Sequence, residues 1–139
     1  MTRRAAVIDT NVVVAGLLTG NDTSPVAHIL DGMLAAKFPF VLSEALLAEY
    51  RTVLVRPGLR KLHGLTVSEV EILLTEIAQH AIVLAPVASP PAPDPGDQLL
   101  WELLAARADL LLVTGDKLLL QHAGMKGRVL TPREFTADV

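Results

Sequence analysis

Four acidic positions from distant segments of the chain stand at or near the starts of helical segments that flank short apolar runs. Asp9 ends the run from Ala5 to Ile8, and Glu49 lies one to two helical turns beyond Ser43-Glu44, which close the run from Phe38 to Leu42. Asp97, with Asp94 just before it, opens the segment leading to the run Leu110 to Val113, and Asp116 follows that run in Thr114-Gly115-Asp116. Carboxylates gathered in one place raise each other's pKa and so need a cation. Oxygen-only donors, with no cysteine and no histidine at ligand spacing, select hard ions such as Mg²⁺ or Mn²⁺ over zinc. Ions held in this way usually serve phosphate chemistry, by activating water and neutralising the oxyanions of an in-line displacement.

The charge balance agrees with that chemistry. The net charge is −3, but setting aside Asp9, Glu49, Asp97 and Asp116 leaves twelve basic against eleven acidic side chains. Arg51, Arg56, Arg60 and Lys61 fall in one short segment after Glu49, with no acid between Tyr50 and Ser68, so this stretch could hold a phosphodiester backbone beside the metal. The aromatics Phe38, Phe40, Tyr50, Trp101 and Phe135 are too few and scattered to form a base-stacking platform, which leaves backbone contacts to carry any nucleic acid.

The elements that must position these acids follow from periodicity. The run to Ile8 reads as a buried strand followed directly by a helix from about Asn11. Ser24-Pro25 caps a second helix bearing Val26, Ile29, Leu30, Met33 and Leu34 to about Lys37. A strand to Leu42 leads through Ser43 into a helix with Leu46, Leu47, Tyr50 and Leu54 on one face, stopped by Arg56-Pro57-Gly58. Thr66 and Glu69 form a capping box for a helix to about His80, followed by a strand from Ala81 to Leu84. Residues Ala85 to Gly96 hold five of the nine prolines and read as an irregular connection. A helix from near Asp97 to Arg107, a strand ending at Val113, a short helix from Lys117 to His122, a strand from Arg128 to Leu130 and a helix capped by Thr131 and Glu134 complete the chain.

Apolar strands without polar alternation, separated by helices, predict a parallel sheet covered on both faces. The expectation is one domain over residues 1–139, a three-layer α/β/α fold with about five strands, whose carboxyl ends carry the ligand. The absence of cysteine excludes a disulfide scaffold and a thiol nucleophile. Met1-Thr2-Arg3-Arg4 and the few apolar residues before Asp9 are too short for the apolar region of a signal peptide, and no run approaches a membrane span, so a cytoplasmic protein without membrane contact is expected.

These blocks resemble the PIN-domain family of ribonucleases, and in particular the VapC-like toxins of bacterial toxin–antitoxin pairs. The resemblance rests on Val7-Ile8-Asp9-Thr10-Asn11-Val12-Val13-Val14, on Leu42 to Tyr50 with Arg56-Pro57, and on Asp94-Pro95-Gly96-Asp97-Gln98-Leu99-Leu100. It continues through Leu112-Val113-Thr114-Gly115-Asp116-Lys117 and Leu130-Thr131-Pro132-Arg133-Glu134-Phe135. It implies a Mg²⁺- or Mn²⁺-dependent endoribonuclease acting on single-stranded RNA. Its catalytic and metal-holding acids would be Asp9, Glu49, Asp97 and Asp116, with Glu44 and Asp94 as neighbours that a shift of register would substitute. Asn11, Ser43 and Thr114 are expected to support them, and Arg51, Arg56, Arg60, Lys61 and Lys117 to meet RNA.

Plainer roles compete with these. Asp9 and Asp97 could be helix N-caps and Glu44 a solvated first-turn acid. A haloacid-dehalogenase-like phosphatase also places aspartate after its first strand, but needs a second acid two residues on, where Asn11 stands. The main alternative is a catalytically idle PIN fold serving as an RNA-binding or protein-interaction module. Hydrophobic residues at 51% predict exposed apolar area and hence a homodimer, with the stripes Val26 to Leu34 and Val70 to Ile77 as candidate surfaces. The resemblance points the same way and implies an apolar antitoxin segment docking near the acids.

Overall fold

The computed structural model describes residues 4–122, 125 and 127–137, so the first three residues of the signal-peptide argument lie outside it. Five strands, β1 (Ala6–Ile8), β2 (Phe40–Leu42), β3 (Ile82–Val83), β4 (Leu111–Val113) and β5 (Val129–Leu130), form one parallel sheet in the order β3-β2-β1-β4-β5. Val7 of the central strand pairs with Val41 on one side and Leu112 on the other. β1, β2 and β4 are buried throughout, which explains their unbroken apolar runs.

The helices are α1 (Thr10–Leu18), α2 (Pro25–Leu34), α3 (Glu44–Leu54), α4 (Pro57–His63), α5 (Val67–His80), α6 (Gln98–Leu104), α7 (Lys117–Leu120) and α8 (Pro132–Ala137), with a 3₁₀ turn over Pro95–Asp97 before α6. They cover the sheet as the outer layers of the expected α/β/α fold. From β1 the chain proceeds towards β2 and β3, whereas from β4 it proceeds the other way to β5. β1 and β4 are neighbours, so the winding reverses between them, the place where doubly wound sheets open a crevice beyond their carboxyl ends.

Local signals set the helix starts as read. Ser24 accepts from the Ala27 N–H, Ser43 from Leu46, and both reciprocal boxes form, Thr66 with Glu69 and Thr131 with Glu134. α1 lies close on α2 because residue 16 is glycine; a Cβ there would stand 2.7 Å from the Val26 carbonyl oxygen. Arg56-Pro57-Gly58 does end α3, but Pro57 also opens α4, a helix the sequence reading lacked. Proline suits the first helical turn as well as it stops a helix.

The core takes in the two stripes expected to associate. Ile29, Leu30, Met33, Val70, Leu74 and Ile77 are buried within the protein, which corrects their reading as candidate dimer surfaces. Large apolar side chains are exposed instead at Leu62, Ile72, Val87, Leu118 and the edge strand, where Val83 is 65% exposed.

Candidate active site

The chain crosses the reversal between β1 and β4 with polar side chains. Asp9, directly after β1, is buried, and so are Thr10, Ser43 and Thr114, the other buried polar residues among those described. Thr114 Oγ1 donates to Asp9 Oδ2 at 2.7 Å and accepts from the Asp116 N–H at 3.0 Å, so one hydroxyl ties the acid after β1 to the acid after β4. Asn11 Nδ2 reaches Asp9 Oδ2 at 3.4 Å, and its Oδ1 accepts from the Gly115 N–H at 3.3 Å. Asp9 stands at the N-cap position of α1 but makes no side-chain cap bond, which removes the plain capping role.

A cleft of about 580 Å³ opens here, lined by Asp9, Thr10, Asn11, Val14, Ala15, Leu18, Glu49, Val53, Arg56, Asp97 and Asp116. One wall is a single face of α1, since Thr10, Val14 and Leu18 recur at four-residue spacing. The opposite wall is the face of α3 that carries Glu49 and Val53 and continues to Arg56, its one cationic side chain. Thr10 donates its hydroxyl to Glu49 Oε2, a contact between two residues of the cleft lining that the sequence reading missed. The signal for it was Thr10's place between Asp9 and Asn11. Tyr50, fully buried, donates its hydroxyl to the Ile8 carbonyl and so fixes the helix bearing Glu49 to the strand bearing Asp9.

The acids feel one another. Burial pushes the Asp9 carboxyl above its ordinary value; the Thr114 hydrogen bond draws it back, and the charges of Glu49 and Asp116 push it up again. Asp97 is pushed up to about 6, first by burial and then by the charges of Asp9, Asp116, Asp94 and Glu49. Burial and the same neighbours, Asp9 and Glu49, hold the Tyr50 phenol well above its ordinary range, so it stays a donor.

The expected neighbours separate clearly. Glu44 lies five residues before Glu49, about 140° around the helix, and it lines a different groove with Leu47, Ala48, Arg51 and Glu71 between α3 and α5. It is the exposed first-turn acid of α3. Asp94 caps the 3₁₀ turn by accepting from the Gly96 N–H at 2.8 Å and does not line the cleft, whereas Asp97 does line it and makes no cap bond. Ser43 acts at one remove, as the cap that starts α3. Of the described basic residues, only Arg56 lines the cleft. Arg51 pairs with Glu71 in the α3–α5 groove, Arg60 and Lys61 line a separate hollow, and Lys117 is exposed beside Asp116 in the chain.

The donor set suits a hard divalent cation, being all oxygen with no thiolate or imidazole in the lining. Among the described residues no three acidic or histidine side chains already stand as a gathered metal site. Glu49 is held by Thr10, and Asp116 Oδ1 accepts from the Leu118 N–H at 2.9 Å.

A parallel sheet that reverses its winding at a cleft of carboxylates defines an α/β domain with an acidic site at the switch point of its sheet. The chain belongs to the PIN-domain family, whose sequence profile matches residues 5–118. PIN domains are in general nucleases acting on RNA and typically depend on a divalent metal. No curated protein matches the sequence.

Proposed function

We propose that this PIN domain is a metal-dependent endoribonuclease cutting single-stranded RNA, with Asp9, Glu49, Asp97 and Asp116 as its catalytic and metal-holding acids. The observation that supports this reading most is that these four carboxylates, from four distant segments, line one cleft at the reversal of the sheet. Mg²⁺ or Mn²⁺, when bound, would supply an activated water and charge neutralisation at the cleaved phosphate. The chain's own side chains do the rest. Thr114 and Asn11 hold Asp9 in one orientation, Thr10 holds Glu49, and Tyr50 keeps α3 in register with β1. Arg56 faces the phosphate of the substrate, and Val14, Ala15 and Leu18 offer an apolar wall to ribose and base.

The same reading makes the chain, residues 1–139, one cytoplasmic domain and the toxin of a toxin–antitoxin pair, neutralised by a protein antitoxin. Among the described residues no helix is long and apolar enough to cross a membrane. The exposed apolar side chains, Val83 and Ile82 on the edge strand among them, support a homodimer, which light scattering tests; a mass of about 15 kDa at all concentrations contradicts it.

The nuclease itself is tested with the full chain and a labelled single-stranded RNA. Cleavage should require Mg²⁺ or Mn²⁺, stop with EDTA, and fall by roughly a hundredfold or more in Asp9→Asn and Asp116→Asn, beyond the usual loss for an outer-shell change. Equal rates in the variants contradict the assignment. RNA binding without metal-stimulated cleavage would identify the idle PIN module instead.

A further inference from the structure

The basic residues after Glu49 do not act as one patch, because the structure divides them. Arg51 is engaged by Glu71, and Arg56 faces the acid cleft. Beside that cleft a second open hollow of about 380 Å³ is lined by Pro57, Arg60, Lys61, Gly64, Leu65 and Thr66, without an acid among them. Arg56 and Pro57 are consecutive, so one cleft hands over to the other along α4. Arg56 and Arg60 are one helical turn apart, roughly 6 Å along the axis.

We propose that this hollow is a second phosphate subsite, taking a backbone phosphate of single-stranded RNA that neighbours the phosphate held in the acid cleft. The proposal rests on the nuclease reading for its substrate, but its own observations are separate. Arg60 is half-buried, and its Nε–H has no acceptor among the described residues. Buried donors are nearly always matched, so this Nε–H stands out as unsatisfied among the described residues, on a side chain that lines the hollow. Lys61 adds a second positive charge, and neither residue enters an ion pair among those described.

The hollow is built rather than incidental. Gly64 ends α4 at φ 73°, a left-handed turn that suits glycine, and the chain reverses there into Thr66. His63 then locks the turn: its Nδ1 accepts from the Leu65 N–H at 3.0 Å, which leaves Nε2 to donate to the Leu54 carbonyl at 2.9 Å. α4 is thereby pinned to the last residue of α3, and its two cations are presented on a fixed support. The start of α5 is not the anion site, because Thr66 and Glu69 already satisfy each other there. The side chains of Arg60 and Lys61 carry the recognition.

The test compares wild type with Arg60→Ala, Lys61→Ala and the double variant on a single-stranded RNA of about ten nucleotides and on a dinucleotide, which has one internucleotide phosphate. Arg107→Ala, which removes a cation paired with Asp109 at the other edge of the sheet, controls for total charge. On the longer RNA the double variant should raise KM about tenfold with kcat within twofold of wild type. The salt dependence of its binding, measured in an Asp116→Asn background, should weaken by about 0.7 in log–log slope for the one phosphate lost. On the dinucleotide the variants should match wild type, and Arg60→Lys should restore most of the loss. An unchanged KM on the longer RNA, or the same loss on the dinucleotide, overturns the proposal. If wild type cleaves neither RNA, the nuclease reading falls, and the subsite is still decided by whether the double variant binds the longer RNA more weakly. Lys61 is exposed, so its single variant reads the subsite even if loss of Arg60 disturbs α4.

Discussion

The two edges of the sheet handle charge in opposite ways. At the amino edge the charges are satisfied. Arg128, just before β5, donates to three main-chain carbonyls, those of Leu104, Arg107 and Leu110, at 2.9, 2.8 and 3.1 Å. Arg4 donates to the Asp109 carbonyl, and Arg107 pairs with the Asp109 carboxylate at 2.6 Å. At the carboxyl edge four acids face one cleft with hydroxyl and amide donors, and its arginine, Arg56, forms an ion pair with none of them among the described residues. In a parallel sheet the preceding helices end near the amino edge, with carbonyls that favour cations, and the following helices begin at the carboxyl edge, which favours anions. At the amino edge the charges find their partners in the chain. On the proposed reading, the acids of the cleft leave their partner to come from solution.

The contrast can be broken from either side. The largest effect is expected at the carboxyl edge: Asp9→Asn should abolish nearly all cleavage while leaving the melting temperature at or above that of wild type, because it removes one of several repelling charges. A strong loss of stability would mean that Asp9 is a structural residue. Next comes Thr114→Val, which deprives Asp9 of its 2.7 Å donor and the Asp116 N–H of its acceptor. Activity should fall about 10–100-fold, and urea unfolding should show a loss of about 1–3 kcal/mol. At the amino edge Arg128→Met should cost a similar ~1–3 kcal/mol by leaving carbonyls unpaired, yet keep kcat/KM per folded molecule within about twofold. A tenfold loss of activity there would show that the two edges are coupled.

Much of this division could be read along the chain. Asp9 and Asp116 announce themselves because each follows an unbroken apolar run, and a parallel strand buried on both faces must read that way. The capping boxes at Thr66 and Thr131 were legible because every atom involved lies within three residues. What stayed open or was missed was long-range or ambiguous in phase. Choosing Glu49 over Glu44 needs to know which face of α3 turns to the cleft, and that is set by packing, with Tyr50 reaching the Ile8 carbonyl. Arg56-Pro57 reads as a stop when proline is taken only as a breaker, so α4 and the hollow beyond it stayed hidden. The stripes on α2 and α5 showed amphipathic helices but not how fully the rest of the fold would cover them.

The difference between the edges is measured most directly by the melting temperature of metal-free protein against pH, for wild type and Asp97→Asn, with and without Mn²⁺. The Asp97 carboxyl is raised from 3.8 to about 6 in the folded protein. Its favourable contribution is therefore fully present below about pH 3.8 and is lost as pH rises through about 6. Wild type should lose stability relative to Asp97→Asn across that interval, and Mn²⁺ should restore wild type at neutral pH while shifting the variant much less. A variant that melts lower than wild type at pH 7 without metal, and responds to Mn²⁺ as fully as wild type, would contradict a carboxylate cluster that awaits a cation.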